Sequence, residues 1–376
     1  MAKRRIVVKV GSSTLTGGTS RLSRRNMLGI AQQIVQLREL GHEVILVSSG
    51  AQVAGREHLG IATSQRPKKA AALMPYKQML AAVGQSRLMM AWEQVFGMFD
   101  VKVAQVLLTR ADLGDRHRYL NAREALMAIL AHDIVPIINE NDAVVTDEIR
   151  VGDNDNLSAL VTNVINADLL IIITDQDGLF TADPRKDPSA TLISEIEEIN
   201  DDVRRVAGVS ISGLGVGGMS TKLQAAELAT KSGATVVLAS GSRQFVLRDI
   251  VNGETVGTRF LPHNNELESR KRWILAEKPA GVIVVDEGAA KALSAGKSLL
   301  PVGVRGVQGE FERGAIVMVQ RDAGKEAPLR TLGHGICRYN STDARRVMGK
   351  KTGEIASLMG IDFVPMLIHA DDMVIL

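Results

Sequence analysis

A chain of 376 residues that is 45% hydrophobic, 23% charged and only 3% aromatic has the apolar content for aliphatic cores in about two domains, which excludes wholesale disorder. Its 45 Lys and Arg against 42 Asp and Glu leave a formal charge of +3, too small to argue by itself for a polyanionic partner. A lone thiol, Cys337, excludes an internal disulfide and a Cys-rich metal site, and no apolar run approaches the roughly 18 residues that a membrane-spanning helix needs.

The chain opens with a predicted strand at 6–10. Apolar positions at helical spacing follow over 27–40 (Ile30, Ile34, Leu37 among them), Gly41 supplies the stop, and a strand at 44–47 completes a βαβ unit. Lys9 interrupts the first apolar run before a signal-peptide core could form, so a cytoplasmic protein is expected. Residues 62–76 mix proline, polar and basic residues without a period and read as a surface insertion. Further strands are predicted at 103–108, 134–138, 169–174 and 235–239, with helices at 79–96, 122–132, 156–165 and 220–232. The strands are Val/Ile/Leu runs with little alternation, as in a parallel sheet covered on both faces. Near residue 260 this rhythm breaks, and short strands at 282–285, 302–304, 316–319 and 373–375, separated by glycines, predict a small β-rich domain. The expected division is a large α/β domain at 1–260, a linker at 261–278 and the small domain at 279–376.

In an open α/β sheet, ligands bind outside the carboxyl ends of the strands, so the loops at that edge are the ones to inspect. Lys9-Val-Gly-Ser-Ser13 places a lysine beside exposed backbone amides, an arrangement that suits phosphate, although a lysine at a strand end is also an ordinary solvated charge. Ser48-Ser-Gly-Ala51 offers two hydroxyls and close backbone approach to a small anion, or simply a helix cap. Residues 139–156 gather six carboxylates (Glu140, Asp142, Asp147, Glu148, Asp153, Asp155) and four amides (Asn139, Asn141, Asn154, Asn156). So many anions repel unless a cation offsets them, which favours binding over a plain Asx-rich turn, and the spacing does not fit an EF-hand. Ser212-Gly-Leu-Gly-Val-Gly-Gly-Met-Ser-Thr-Lys222 has the glycines for polyphosphate approach and a lysine in the first turn of the next helix; a flexible linker is the alternative. It is not a Walker A loop, because Thr221 precedes Lys222, and it lacks the acidic partner of a dinucleotide site. Thr174-Asp175 ends a buried strand where a nucleotide contact or a capped turn would look the same. Two lysines that hold a phosphoryl group, with aspartates for Mg²⁺ and the acceptor, imply a small-molecule kinase outside the P-loop class.

Taken together and in this order, Val8-Lys-Val-Gly-Ser12, Val47-Ser-Ser-Gly-Ala51, Ile138-Asn-Glu-Asn-Asp-Ala-Val144, Val151-Gly-Asp-Asn-Asp-Asn156, Thr174-Asp175 and Gly217-Gly-Met-Ser-Thr-Lys222 resemble the bacterial glutamate 5-kinase family. Pro279-Ala-Gly-Val-Ile-Val-Val-Asp-Glu-Gly-Ala289 with Ser298-Leu-Leu-Pro-Val-Gly303 is similar to the PUA domain appended in many of its members. The resemblance implies the amino-acid-kinase fold, a three-layer sandwich with a mainly parallel central sheet, plus the small PUA-like domain. It implies phosphorylation of L-glutamate by ATP with Mg²⁺, the first step of proline biosynthesis. By resemblance, Lys9, Lys222 and Asp155 would be catalytic, and Ser49, Asp142 and Asn154 would bind glutamate. Lys9, Thr174, Asp175, Val216, Gly217, Gly218, Met219, Ser220, Thr221 and Lys222 would contact ATP, while Asp153 and Asp155 would organise the lysines or Mg²⁺. Val216 stands where threonine is expected, which leaves only a backbone contact there. The family also implies proline as feedback inhibitor and a homo-oligomer, dimer or tetramer. Kinases of the same fold for aspartate, acetylglutamate, carbamate or UMP are the alternatives within the fold. RNA binding through the PUA-like domain is the alternative outside it, weakened by 12 basic against 11 acidic residues over 279–376.

Overall fold

Runs of Val, Ile and Leu without polar alternation make strands that are buried on both faces, and such strands pair in parallel under two layers of helices. The computed structural model describes residues 3–62, 70–145, 153–184, 186–208, 218–262, 278–322, 329–359 and 365–376. They fall into two units, Met1–Glu266 and Leu267–Leu376. The first holds an 8-stranded sheet of order β3-β4-β2-β1-β5-β7-β8-β6. Its strands are β1 (Arg5–Val10), β2 (Glu43–Ser48), β3 (Val103–Leu108), β4 (Val135–Glu140), β5 (Leu169–Thr174), β6 (Glu195–Ile196), β7 (Thr235–Ser240) and β8 (Thr258–Phe260). All pairings are parallel except β7 with β8. The described helices are α1 (Ser12–Thr16), α2 (Arg24–Glu39), α3 (Ala51–Leu59), α4 (Ala70–Gly97), α5 (Arg110–Gly114), α6 (Arg116–Ala131), α7 (Asp153–Val164), α8 (Asp201–Val206), α9 (Met219–Lys231) and α10 (Val246–Val251).

Alternation along β1 sorts the two cores. Val8 and Val10 join one cluster with Met27, Ile34 and Leu37 of α2 and Leu88 and Trp92 of α4. Val7 joins the other, with Leu157 and Val161 of α7 and Leu223 and Ala226 of α9. Helices thus cover both faces, the three layers expected of the fold. On the first face, α3 and α4 touch through glycines: a Cβ on Gly55 would lie 1.9 Å from the Leu80 carbonyl oxygen, and one on Gly84 1.8 Å from that of Ala51.

Several boundaries differ from the sequence reading. The helix α4 begins at Ala70, so residues 70–76 are helical, Pro75 included, where an irregular insertion was expected; residues 63–69 lie outside the described residues. The helix α6 starts at Arg116, because Asp115 caps it by accepting the Arg118 N–H at 3.0 Å and its polar first turn hides the periodicity. The helix α7 starts at Asp153 rather than 156, which puts Asn154 and Asp155 inside its first turn. Between the two acidic stretches the sequence also predicts a hairpin over 144–151; it and the linker at 261–278 fall largely outside the described residues.

The second unit contains a 5-stranded sheet of order β10-β9-β11-β12-β13, formed by β9 (Gly281–Val285), β10 (Val304–Gln308), β11 (Ile316–Arg321), β12 (Arg330–Ile336) and β13 (Met373–Ile375). The strand β12 went unread because Gly333, His334 and Gly335 break its apolar alternation. Three helices also went unread: α11 (Glu287–Ser294), α12 (Ser341–Val347) and α13 (Thr352–Met359). Residues 302–303, expected to be extended, belong to a 3-10 turn. Ile283, Val285, Val317, Val319 and Ile368 form the core around Cys337, whose thiol burial pushes up to about 12, leaving it an inert core residue.

Candidate functional site

Lys9, Ser48, Glu140, Thr174 and Ser240 all lie at the carboxyl ends of sheet strands, so the sequence-predicted loops meet at one edge. Lys9 follows Val7 by two residues and so faces α7 and α9. There it is 5% exposed. Its ammonium Nζ lies 2.5 Å from Oδ1 of Asp155, which is fully buried in the first turn of α7. The other oxygen, Oδ2, accepts from Thr221 Oγ1 at 2.8 Å and from Lys222 Nζ at 3.3 Å, both in the first turn of α9. Lys222 also donates to the Gly218 carbonyl at 3.3 Å. Gly218 caps α9 at φ 73°, ψ −133°, a conformation that side chains rarely adopt. One buried carboxylate therefore holds two ammonium groups together.

Burial pushes the Lys9 pKa down, and the nearby Asp155 charge only partly restores it. For Asp155, burial pushes upward, but the charges of Lys9 and Lys222 and the bonds from Lys9 and Thr221 outweigh it and hold the carboxyl below its ordinary range. With Asp155 ionised between two ammonium groups, the cluster carries an excess of positive charge at a helix N-terminus, a setting made for an anion.

A second cluster joins β2, β4, α7 and α4. Asn154 Nδ2 donates to Ser49 Oγ and to Asn139 Oδ1, each at 2.9 Å. Asn139 Nδ2 donates in turn to Gln85 Oε1 at 2.8 Å. Ser49 is placed from both sides: its N–H donates to the Val10 carbonyl at 3.1 Å, and the preceding Ser48 hydroxyl accepts from the buried Trp92 Nε1 at 2.9 Å. Gly50 turns the chain into α3 at φ 112°. Asp142 lines a pocket of about 280 Å³ with Gln85, Ala51, Glu140 and Asn141. Thr174 is buried at the end of β5 and donates to the carboxylate of exposed Asp175 at 3.0 Å.

The sequence-predicted residues Lys9, Asp155, Thr221 and Lys222 thus meet in one cluster, and Ser49 and Asn154 in another. Gly218, Met219 and Ser220 form the start of α9 beside the first. Val216 and Gly217 lie outside the described residues, as does the side chain of Asp153. Asn139 and Gln85 were not singled out as site residues. Asn139 carried a signal, since a polar residue in a run of buried strand positions needs partners; Gln85, in the middle of a helix, carried none. As for a metal, no group of three or more His, Cys, Asp or Glu converges among the described residues. Both Asp155 oxygens already face ammonium or hydroxyl donors.

The model of the amino acid kinase family matches residues 4–240 of the chain, and that of the PUA domain matches 281–359. A protein named glutamate 5-kinase from Photobacterium profundum is 53% identical over 376 residues, 100% of this chain and 97% of its own. Its namesake from Aliivibrio fischeri is 52% identical over 99% of this chain and 98% of its own. The one from Serratia marcescens is 49% identical over 98% of each. Among solved structures, a carbamate kinase from Giardia lamblia bound to AMP-PNP is similar over 70% of this chain and 99% of its own, at 16% identity and a TM-score of 0.49.

Proposed function

We propose that this chain, which belongs to the amino acid kinase family and within it to the glutamate 5-kinases, transfers the γ-phosphoryl group of ATP to the γ-carboxylate of L-glutamate, yielding L-glutamyl 5-phosphate and ADP. The observation that carries the mechanism is the sharing of buried Asp155 between Lys9 and Lys222.

The acceptor needs no general base. A glutamate side chain has an unperturbed pKa of about 4.3, so the nucleophile is already a carboxylate at neutral pH. Repulsion is the obstacle, because that carboxylate must approach a triphosphate. Lys9 and Lys222 offset it and stabilise the charge that spreads over the transferring phosphoryl oxygens as the bond to ADP breaks and the bond to the acyl oxygen forms. Asp155 orients the two lysines and keeps them close despite their mutual repulsion. Gly218 to Lys222, together with Val216, Gly217, Thr174 and Asp175, hold the nucleotide. Ser49, Asn154 and Asp142 hold glutamate, with Asp142 as the partner of its ammonium group. No group of three or more His, Cys, Asp or Glu converges among the described residues, and Mg²⁺, when bound with ATP, would offset the charge of its phosphates. Asp153, at the first position of α7, is the acidic residue we assign near those phosphates.

We further assign residues 1–260 to the kinase domain, 261–278 to a linker and 279–376 to the PUA-like domain, on the change of pattern near residue 260. A cytoplasmic location, feedback inhibition by proline and assembly into a dimer or tetramer are inferred from the resemblance to the family. No described helix is long and apolar enough to cross a membrane.

The test is ATP-dependent hydroxamate formation with L-glutamate, run in parallel with ADP release on aspartate, acetylglutamate, carbamate and UMP. Activity on glutamate alone is expected, with a decrease when proline is added. ADP release with one of the others and none with glutamate would overturn the reading.

A further inference from the structure

The chain of amides that ends at Gln85 has a direction, and the direction is set by a group that can only donate. The backbone N–H of Glu140 donates to Asn139 Oδ1 at 2.9 Å, and the same oxygen accepts from Asn154 Nδ2. Asn139 therefore turns Nδ2 toward Gln85, and Gln85 answers with Oε1 at 2.8 Å. Gln85 is left with Nε2 as its free end, and Asn154 with Oδ1. Both atoms are buried and lack a hydrogen-bond partner among the described residues. Leaving buried amide groups unpaired is costly, so a network that ends in an unpaired donor at one end and an unpaired acceptor at the other marks what a ligand brings: an acceptor for Gln85 and a donor for Asn154.

The α-carbon of an amino acid carries both. The γ-carboxylate of the substrate has to reach the lysines gathered by Asp155, which is the neighbour of Asn154. Gln85 lies two amide links farther along the network, on the wall of the pocket that Asp142 also lines. That places its donor toward the end of the substrate that does not react. We propose that Gln85 Nε2 donates to the α-carboxylate of the substrate, so that Gln85 orients glutamate and makes the α-carboxylate a requirement for productive binding. The inference rests on the glutamate reading above and deepens it.

Gln85→Glu is the informative substitution, because it keeps the oxygen that Asn139 needs and replaces only the donor, by an anion. The KM for L-glutamate should rise roughly 10- to 100-fold, the range for losing a hydrogen bond to a charged group. The KM for ATP should stay within about twofold, and kcat should fall by no more than about threefold, since the reacting groups are untouched. The second substrate is 4-aminobutanoate, which is glutamate without its α-carboxylate. Its kcat/KM, or its Ki against glutamate, should be the same in Gln85→Glu and wild type, because the group that Gln85 would hold is absent. Should the buried glutamate prevent folding, Gln85→Met, close in shape and lacking the donor, is judged by the same comparison. An unchanged glutamate KM in a folded variant overturns the proposal, as does an equal loss with 4-aminobutanoate, which would mark a merely structural role. Those results leave the kinase reading standing, whereas wild-type protein inactive on glutamate overturns both.

Discussion

Asp155→Asn removes one negative charge and almost no volume. The ammonium groups that lay 2.5 and 3.3 Å from its oxygens then flank a neutral amide. At an effective dielectric constant of about 20, unit charges at those separations attract by about 5–7 kcal/mol per pair before desolvation is counted. Desolvation of a side chain with no exposure offsets much of this, and removing one partner of a buried pair costs about 3–5 kcal/mol net. At about 2–4 °C per kcal/mol for a unit of this size, the melting midpoint of the unliganded variant should fall by about 6–20 °C. A triphosphate supplies the missing negative charge, so a nonhydrolysable ATP analogue should raise the midpoint of Asp155→Asn by more than it raises that of wild type. The pH dependence has a definite sign. Burial already holds the folded-state pKa of Lys9 below its ordinary value of 10.5, and without Asp155 it falls further. Between that folded value and 10.5 the unfolded chain binds the extra proton, so stability rises with pH and the deficit of the variant should shrink toward alkaline pH. Scanning fluorimetry with and without the analogue, over a pH series, reads all of this. A midpoint within about 1 °C of wild type, where degrees are expected for each kcal/mol, would refute the placement of Asp155 as the shared counter-ion.

Turnover should fall by about 10²–10³ or more in Lys9→Ala and in Lys222→Ala, the scale of losing one electrostatic stabiliser, and near-normal kcat in both would contradict their assignment. Asp142→Ala should mainly raise the KM for glutamate; an unchanged KM removes Asp142 from that subsite. Gly84→Ala places a methyl 1.8 Å from the Ala51 carbonyl oxygen. Because that separates α3 from α4, the cost should reach or exceed the ~1–3 kcal/mol typical of overpacking, visible as a lower melting midpoint, and the glutamate KM should rise since α3 starts directly after Ser49 and Gly50. Glu227, bonded by Arg204 at 2.8 and 2.9 Å and by Lys231 at 2.7 Å, has its pKa lowered from 4.5 to about 2, chiefly by the Arg204 bonds. Its contribution to stability is present above pH 4.5 and lost as pH falls toward 2. Glu227→Gln should therefore lose less stability than wild type over that window in an acid titration followed by circular dichroism, and parallel curves would refute the pairing.

Local chemistry made much of the molecule legible in advance. Apolar runs such as Leu169–Thr174 have no polar alternation to offer solvent, so they had to become strands buried on both faces, and the residues that follow such strands had to meet at one edge. The glycines and lysine of 212–222 stood out because few other roles need backbone amides and an ammonium group together, whereas Lys9 at a strand end equally suited an ordinary solvated charge until the other loops were read with it. Where long-range partners compensate for a local irregularity, the chain alone misled. Residues 70–76 looked irregular because the segment mixes proline with polar and basic residues and shows no helical period, yet they are helical; in α4, Gly84 allows contact with α3 that no local pattern announces.

The sequence by itself determined the composition of each loop and the order of the loops along the chain, and with them the type of chemistry. Only the tertiary structure decided which charges share a partner. Lys9, Asp155 and Lys222 lie far apart along the chain, and whether Asp155 faces a metal or two lysines depends on the face of β1 that α7 and α9 cover. The direction of the amide network from Asn154 to Gln85 was decided there as well. Side-chain amides donate and accept equally well in a free chain, and it takes the fixed N–H of Glu140, held in place by its strand, to leave Gln85 with a donor to give.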